Sequence, residues 1–227
     1  AVRICVKQQG ESMTANRSGK GTKQRGQVVR DKLLAATERL ALLSHPENIA
    51  LTDVMEAADV ARATVYHHFG DLEGLIGAAT LRLFSRNARD DLAAIEQVIE
   101  GANNVDEFAD QMRLITGIAN GEERRQYRLL RASCIDYARG RPVLVEQLAD
   151  IQTSLTDDLA KAIAKAQHKA LIREDLDPRA FAVFIQAYSL GKLVDDVAGL
   201  HTSAGAWEHL IDTLVIKPSL ASSSDTD

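Results

Sequence analysis

The stretch LTDVMEAADVARATVYHHFGDLEGLI, residues 51–76, carries two short helical patterns on either side of one turn. Thr52 is placed to cap a helix running through Met55 to Ala58, its hydroxyl accepting from an amide of the first turn. Asp59 breaks that helix. A second helix is expected from about Ala61 to Phe69, ended by Gly70, which takes the left-handed conformation without a Cβ penalty. At about 100° per residue, Val65 and Phe69 fall on one side and Ala63, Thr64 and His67 on the other, with Arg62, Tyr66 and His68 on the flanks. A short helix that shows small, hydroxyl, imidazole and phenol groups, with a guanidinium at its start, suits a DNA major groove. Its free amino-terminal amides and dipole also favour phosphate. A surface hairpin in an ordinary helical bundle fits the same geometry.

Upstream, Val29, Leu33, Ala36, Leu40 and Leu43 keep one apolar stripe, which reads as a first helix stopped by SHPEN at 44–48. Ahead of it, the segment from Thr14 to Lys32 holds Arg17, Lys20, Lys23, Arg25, Arg30 and Lys32 against Asp31 alone. Residues 1–25 are therefore expected to form a flexible basic arm. Such an arm fits a phosphate backbone, and a solubilising tail explains the composition equally well. Met13 stands just before the basic run, and residues 1–12 are not expected to take part in the fold. The chain carries −5 overall, but the charge is uneven: residues 1–70 have ten Lys and Arg against seven Asp and Glu, and the remainder has 17 against 25. The nucleic-acid reading belongs to the first part only.

Downstream, a long helix is expected from Leu72 to about Glu100, long enough to link two bodies, with Leu75, Ile76, Ala79, Leu83, Phe84, Leu92, Ile95 and Ile99 facing inward. Further helices are expected over 106–119, 122–139, 142–171, 178–200 and 205–216, divided by Gly-, Pro- and Asp-containing breaks. Leu144, Leu148, Ile151, Leu155, Leu159 and Ile163 recur three and four apart, the stripe of a helix packed on neighbours. No strand alternation competes. The fold class expected is all-α: an amino-terminal three-helix helix-turn-helix domain at 26–71, a larger carboxy-terminal helical bundle domain at 72–217, and a disordered tail at 218–227.

The region from about Arg30 to Leu75 resembles the DNA-binding domain of the TetR family of bacterial transcriptional regulators. The resemblance rests on a threonine opening the second helix, an alanine-rich turn ending in Val60, the Thr64-Val65-Tyr66-x-x-Phe69 pattern and the Glu73-x-Leu75 opening of the fourth helix. It implies phosphate contacts from Thr52, Thr64 and Tyr66, and base-edge contacts from Arg62, Ala63 and His67. Val54, Ala58, Val60, Val65, Phe69 and Leu75 would form the core beneath. Three positions depart from the family pattern: Asp59 replaces a turn glycine, Ala61 a capping serine, and Leu72 a lysine. The resemblance further implies a carboxy-terminal domain that binds a small effector, and a homodimer through helices 178–200 and 205–216. Phe181, Phe184, Ile185, Tyr188 and Leu193 supply an apolar stripe there, which serves an internal core equally well. A near-palindromic double-stranded operator is the implied partner.

A helix-turn-helix regulator controlled by a protein partner, or by no ligand, fits the same residues, whereas an α-helical enzyme finds little support. There is no Gly-x-Ser-x-Gly elbow, phosphate-binding glycine loop or His-Glu-x-x-His helix, so no catalytic set can be named and an enzyme is not expected. Adjacent His67 and His68 diverge by about 100° on a helix, unsuited to joint metal ligation. Cys5 and Cys134 are too far apart for a finger, and Cys134 reads as a core residue. No cofactor or metal is expected. The longest apolar run, Ala180 to Ile185, is far short of a membrane span, so no membrane partner and a cytoplasmic location are expected. Candidate effector-binding residues are Met112, Tyr127, Cys134, Tyr137, Phe184 and Tyr188, which together offer an apolar lining with a few hydroxyls. A local arginine cluster at 124, 125, 128 and 131 runs against the acidic balance of this part of the chain.

Overall fold

The computed structural model describes residues 15–198 and 202–221, and side chains from residue 24 onward with the exception of Ala204. Among them the architecture is helical throughout, with one isolated antiparallel bridge between Ile172 and Leu220. The helices are α1 (Ala15–Leu43), α2 (Leu51–Ala58), α3 (Arg62–Phe69), α4 (Leu72–Gly101), α5 (Val105–Asn120), α6 (Arg125–Ala138), α7 (Pro142–His168), α8 (Pro178–Gly191), α9 (Leu193–Asp196), α10 (Ala204–Ile211) and α11 (Lys217–Ser219). Wide π-turns over Asp212–Ile216 join α10 to α11.

Three apolar clusters organise these helices, the smallest packing Ala109 of α5 against Ile211, Val215 and Ile216. The first joins α1, α2, α3, the first half of α4, and parts of α6 and α7 around fully buried Leu33, Val54, Val65, Leu75 and Leu83. The second joins the far half of α4 to α5, α7 and α8 around Ile99, Phe108, Ile163 and Ala182. Helix α4 belongs to both of these, and so joins the helix-turn-helix to the larger bundle. Polar contacts reinforce the joint. Glu38 of α1, almost wholly buried, accepts from Arg82 and, at 3.1 Å, from Arg86 of α4. Gln126 of α6 donates to the Leu42 carbonyl at 2.6 Å, and Arg141 donates to Glu73 at 2.8 Å.

Four expectations need correction. Residues 15–25, expected to be an irregular arm, continue α1 as helix. The segment has no proline to remove a donor, and once the packed part of α1 is nucleated each added residue gains a hydrogen bond. The expected arm at 1–14 lies outside the described residues. Thr52 does not cap α2: the N-cap is Ala50 with no side-chain bond, and the Thr52 hydroxyl turns to Asp53 Oδ1 at 3.4 Å. The helix expected over 178–200 is interrupted at Lys192, where the chain turns to bring Asp195 and Asp196 onto other partners. Finally, the tail does not begin at 218. Ser219 is buried, its carbonyl accepts from the Arg173 amide at 3.0 Å, and the Ala221 amide bonds Leu171 at 3.2 Å. These pairings satisfy backbone groups that would otherwise be stranded beside the second cluster. Residues 222–227 lie outside the described residues.

Candidate nucleic-acid interface and buried cavity

The turn between α2 and α3 is made by Asp59 in the left-handed region, φ 48°, followed by a Val60 amide bonded to the Met55 carbonyl at 3.2 Å. An aspartate tolerates this backbone better than most residues, so the missing glycine is absorbed. The closure swings α3 across α2 and drives Val65 fully into the first cluster. With Val65 anchored, Arg62, Ala63, Tyr66 and His67 project to solvent as one face, while Thr64 is half-buried at its edge. Arg62 donates to the Tyr66 hydroxyl oxygen at 2.9 Å and its guanidinium lies 5.3 Å from the tyrosine ring centre. The phenol therefore accepts from Arg62 and keeps its own proton available to an outside acceptor.

Neither Asp59 nor any other side chain caps the start of α3; its N-cap is Ala61. The carboxy-terminal end is secured instead. Arg30 of α1 donates to the His68 carbonyl at 3.2 Å, and its guanidinium sits 4.4 Å from the Phe69 ring centre, satisfying an end carbonyl and the helix dipole together. Sequence reasoning counted Arg30 among the basic residues of the arm and missed this role, because its partners lie 38 residues away. Leu72, standing where the family pattern has a lysine, packs against the first cluster. Thr52 is exposed one helix away on α2. Five of the six expected DNA-binding residues are thus on α3, and the sixth, Thr52, is on α2.

A cavity of about 230 Å³ opens between α4, α5, α7 and α8. Its deep walls are apolar, with Ile95, Ile99, Phe108, Ile163, Phe181 and Ile185 prominent. Its rim is polar, formed by Asp91, Thr116, Asn120, Arg124, Arg131 and Tyr188. Arg124 pairs with Asp91 at 3.0 Å; burial nevertheless holds the Asp91 carboxyl above its ordinary range against the pull of that guanidinium. Burial likewise pushes the Tyr188 hydroxyl up. Two buried polar atoms on this lining, Asn120 Oδ1 and Arg131 Nε, have no hydrogen-bond partner among the described residues.

Of the six effector candidates, only Met112 and Tyr188 reach this lining. Cys134 is buried in the first cluster, its Sγ 3.7 Å from the Thr80 carbonyl oxygen and its thiol pushed up to about 12 by burial. Tyr137 is buried nearby with Arg141 stacked 4.0 Å above its ring. Tyr127 lies under Arg124, 5.7 Å from the guanidinium to the ring centre, outside the cavity. Phe184 is half exposed, because Phe181, Ile185 and Tyr188 define the inner face of α8 and residue 184 falls on its outer edge. Side-chain chemistry pointed to aromatic and sulfur groups; which of them face inward depends on the rotation of each helix. The residues missed were Asp91, Asn120, Arg124 and Arg131, of which only the arginine cluster left a trace in the sequence.

No family model matches the chain. An uncharacterized helix-turn-helix-type transcriptional regulator of Mycobacterium tuberculosis is 32% identical over 82 residues, covering 36% of this chain and 41% of that protein. The chain therefore matches only about two fifths of that relative's length. The helix-turn-helix-type transcriptional regulator AlkX of the same species is 29% identical over 151 residues, covering 61% of this chain and 71% of AlkX. Solved structures extend the likeness to nearly the whole fold. A TetR-family regulator from Cytophaga hutchinsonii matches with TM-score 0.68 at 15% identity, covering 87% of this chain and 98% of that one. A second TetR-family structure, from Mesorhizobium loti, matches with TM-score 0.66 at 17% identity, covering 83% and 94%. With its amino-terminal helix-turn-helix, long linking helix and carboxy-terminal bundle around a cavity, this chain has the all-helical fold of the TetR-family transcriptional regulators.

Proposed function

We propose that the protein is a homodimeric, sequence-specific DNA-binding regulator of transcription, a repressor released from its operator by a small-molecule effector. The observation that carries this reading is the solvent face of α3, where Arg62, Ala63, Tyr66 and His67 project together from a helix anchored by Val65. In a major groove, His67 and Arg62 read base edges, while the Tyr66 and Thr64 hydroxyls and the open start of α3 hold phosphates. Thr52 adds a phosphate contact from α2. The dimer forms through α8, α9, α10 and the π-turns that follow, whose outer surfaces leave Val183, Phe184, Val194, Leu210 and Leu214 exposed. These are helices within the expected 178–200 and 205–216 segments.

Two-fold symmetry brings two α3 helices to successive major grooves about 34–36 Å apart, so the operator is a near-palindrome. Selection of bound genomic fragments at low salt is expected to recover an inverted repeat; recovery of none overturns the reading. Within that site, His67→Ala is expected to change which bases are preferred, whereas Tyr66→Phe weakens all sites by a similar factor. Arg62→Ala is expected to do both, since Arg62 also orients the Tyr66 hydroxyl. Binding arrays scored by sequence separate these outcomes.

Removal of residues 1–25 is expected to lower DNA affinity and to flatten the dependence of log affinity on log salt by about 0.9 for each phosphate no longer neutralised. The packed part of α1, from Val29 onward, stays in place. Equal salt slopes for the full and shortened chains would show that the basic segment neutralises no phosphate.

Effector control runs through α4, which lines the cavity with Asp91, Ile95 and Ile99 and carries Leu75 and Ile76 in the cluster beneath α3. A ligand that fits one setting of α4 about 100-fold better than another shifts operator affinity by the same factor, about 2.7 kcal/mol of coupling.

A further inference from the structure

The cluster of four arginines on and beside α6 has a single member left over. Arg124 is paired with Asp91 at 3.0 Å. Arg125 donates to the Asp196 carbonyl at 2.7 Å, and Arg128 donates to both carboxylate oxygens of Asp196 at 2.5 and 2.8 Å. Arg131, on the cavity lining, feels the charge of Asp91 but makes no ion pair within 4.0 Å among the described residues. Its Nη2 reaches Gln152 Oε1 at 3.4 Å, its guanidinium lies 5.0 Å from the Phe84 ring centre, and its Nε is buried without a partner. A buried guanidinium is costly unless it is paired, and its fork of parallel N–H groups matches a carboxylate in particular.

We propose that the cavity takes an amphipathic monocarboxylate, its carboxylate on the Arg131 fork and its apolar body running down the α4 wall toward Ile99. The assignment rests on the reading of this cavity as the effector site and adds the chemical class of the effector. One charge fits better than two. Asp90 and Asp91 also line the rim, so a second negative charge on a phosphate-like head would meet like charge, while Arg124 is already committed to Asp91. An apolar body matches the α4 wall, where Ala94, Ile95 and Ile99 follow Asp91 and Leu92, and Phe108, Ile163 and Phe181 on the same lining; Thr116, Gln186, Ser189 and Ser219 are polar groups on the other elements. At a rise of about 1.5 Å per residue, the wall from Asp91 to Ile99 is roughly 12 Å long. That is the reach of a chain of roughly eight to ten carbons at carbon–carbon bonds of about 1.5 Å.

The test uses the full chain without DNA, titrated calorimetrically at neutral pH with decanoate, decanol and decylamine, each below its micelle-forming concentration. Decanoate is expected to bind at least about tenfold more tightly than decanol, and decylamine more weakly than either, as the sign of an unpaired guanidinium requires. Arg131→Gln is expected to weaken decanoate by about tenfold or more and to leave decanol within about threefold, with Arg131→Lys recovering part of the loss. Equal affinities for decanoate and decanol, an unchanged decanoate affinity in Arg131→Gln, or no binding of any of the three overturns the proposal. If the variants fail to fold by circular dichroism, the ratio of decanoate to decanol affinity in the unmodified protein decides alone. Operator selection is scored separately. Operator binding without decanoate binding defeats only the carboxylate assignment, whereas decanoate binding by a protein that selects no operator defeats the regulator reading and leaves the assignment standing.

Discussion

An Asp196→Ala variant is expected to unfold at a markedly lower urea concentration, having given up about 3–5 kcal/mol of stability. Asp196 is fully buried and Arg128 nearly so, and the two exchange a bidentate ion pair. Truncating the carboxylate leaves the guanidinium in an apolar interior with no counter-charge, and that stranded charge, more than the missing pair, sets the size of the effect. Arg128→Met combined with Asp196→Leu is therefore expected to recover most of the loss. Acid should expose the same pair. Burial pushes the Asp196 carboxyl up, but the Arg128 hydrogen bonds and charge outweigh it and hold the group below the usual carboxylate range. Asp195 is also held low, at about 2, by Lys192 and the Thr202 amide. Carboxylates depressed in the folded state contribute stability that is complete above their unfolded values near pH 4 and is lost as pH falls through the folded ones. Urea midpoints measured between neutral pH and about pH 2 should decline more gently in Asp196→Ala than in the unmodified protein. The variant also reaches the cavity, because Arg128 Nη1 holds the Ala119 and Gly121 carbonyls, at 3.3 and 3.2 Å, on either side of Asn120.

Gly74→Ala is expected to cost about 1–3 kcal/mol and to lower operator affinity by more than that instability explains. Gly74 is in the first turn of α4, where its amide donates to the Asp71 cap at 2.7 Å. A Cβ at this position would stand 2.5 Å from the Phe69 carbonyl oxygen, a backbone atom at the end of α3. Relief requires α3 and α4 to move apart, which turns the Arg62, Tyr66 and His67 face away from its setting. Gly101→Ala, at the far end of the same helix, meets nothing within 4 Å and is expected to be neutral or slightly stabilising. Urea midpoints and fluorescence anisotropy on a selected operator, measured for both variants, compare the two ends of α4 directly. Wild-type operator affinity in Gly74→Ala would show that this junction does not set the recognition helix.

The helix-turn-helix was legible because its determinants are local. Val54, Ala58, Val65 and Phe69 recur at helical spacing, and the breaks fall at Asp59 and Gly70, both of which adopt positive φ, 48° and 80°. Glu73-x-Leu75 was legible as a pattern, but not the steric reason its middle residue is glycine. The long helix α4 was readable from periodicity alone, ending at Gly101 where a break was expected.

Periodicity left two matters open: how far each helix is rotated, and what its charged residues meet. The difference shows in α6 and α8. Arg124, Arg125, Arg128 and Arg131 read as one basic cluster, yet the first three meet Asp91 and Asp196 on other helices, up to 71 residues away in sequence, and Arg131 meets neither in an ion pair. Phe184 and Tyr188 stand one turn apart on α8, and only the tertiary structure turns the tyrosine to the cavity and the phenylalanine outward. By itself the sequence determined the helical class, the turn that sets α3 across α2, and the side chains that α3 exposes, because short-range spacing and backbone conformation suffice for each. Only the tertiary structure decided which arginine is left without an ion pair on the cavity, that Arg30 secures the end of α3, and which candidate residues line that cavity. Those outcomes depend on long-range packing, where the burial of apolar faces fixes helix rotation and the charged groups pair with whatever is then within reach.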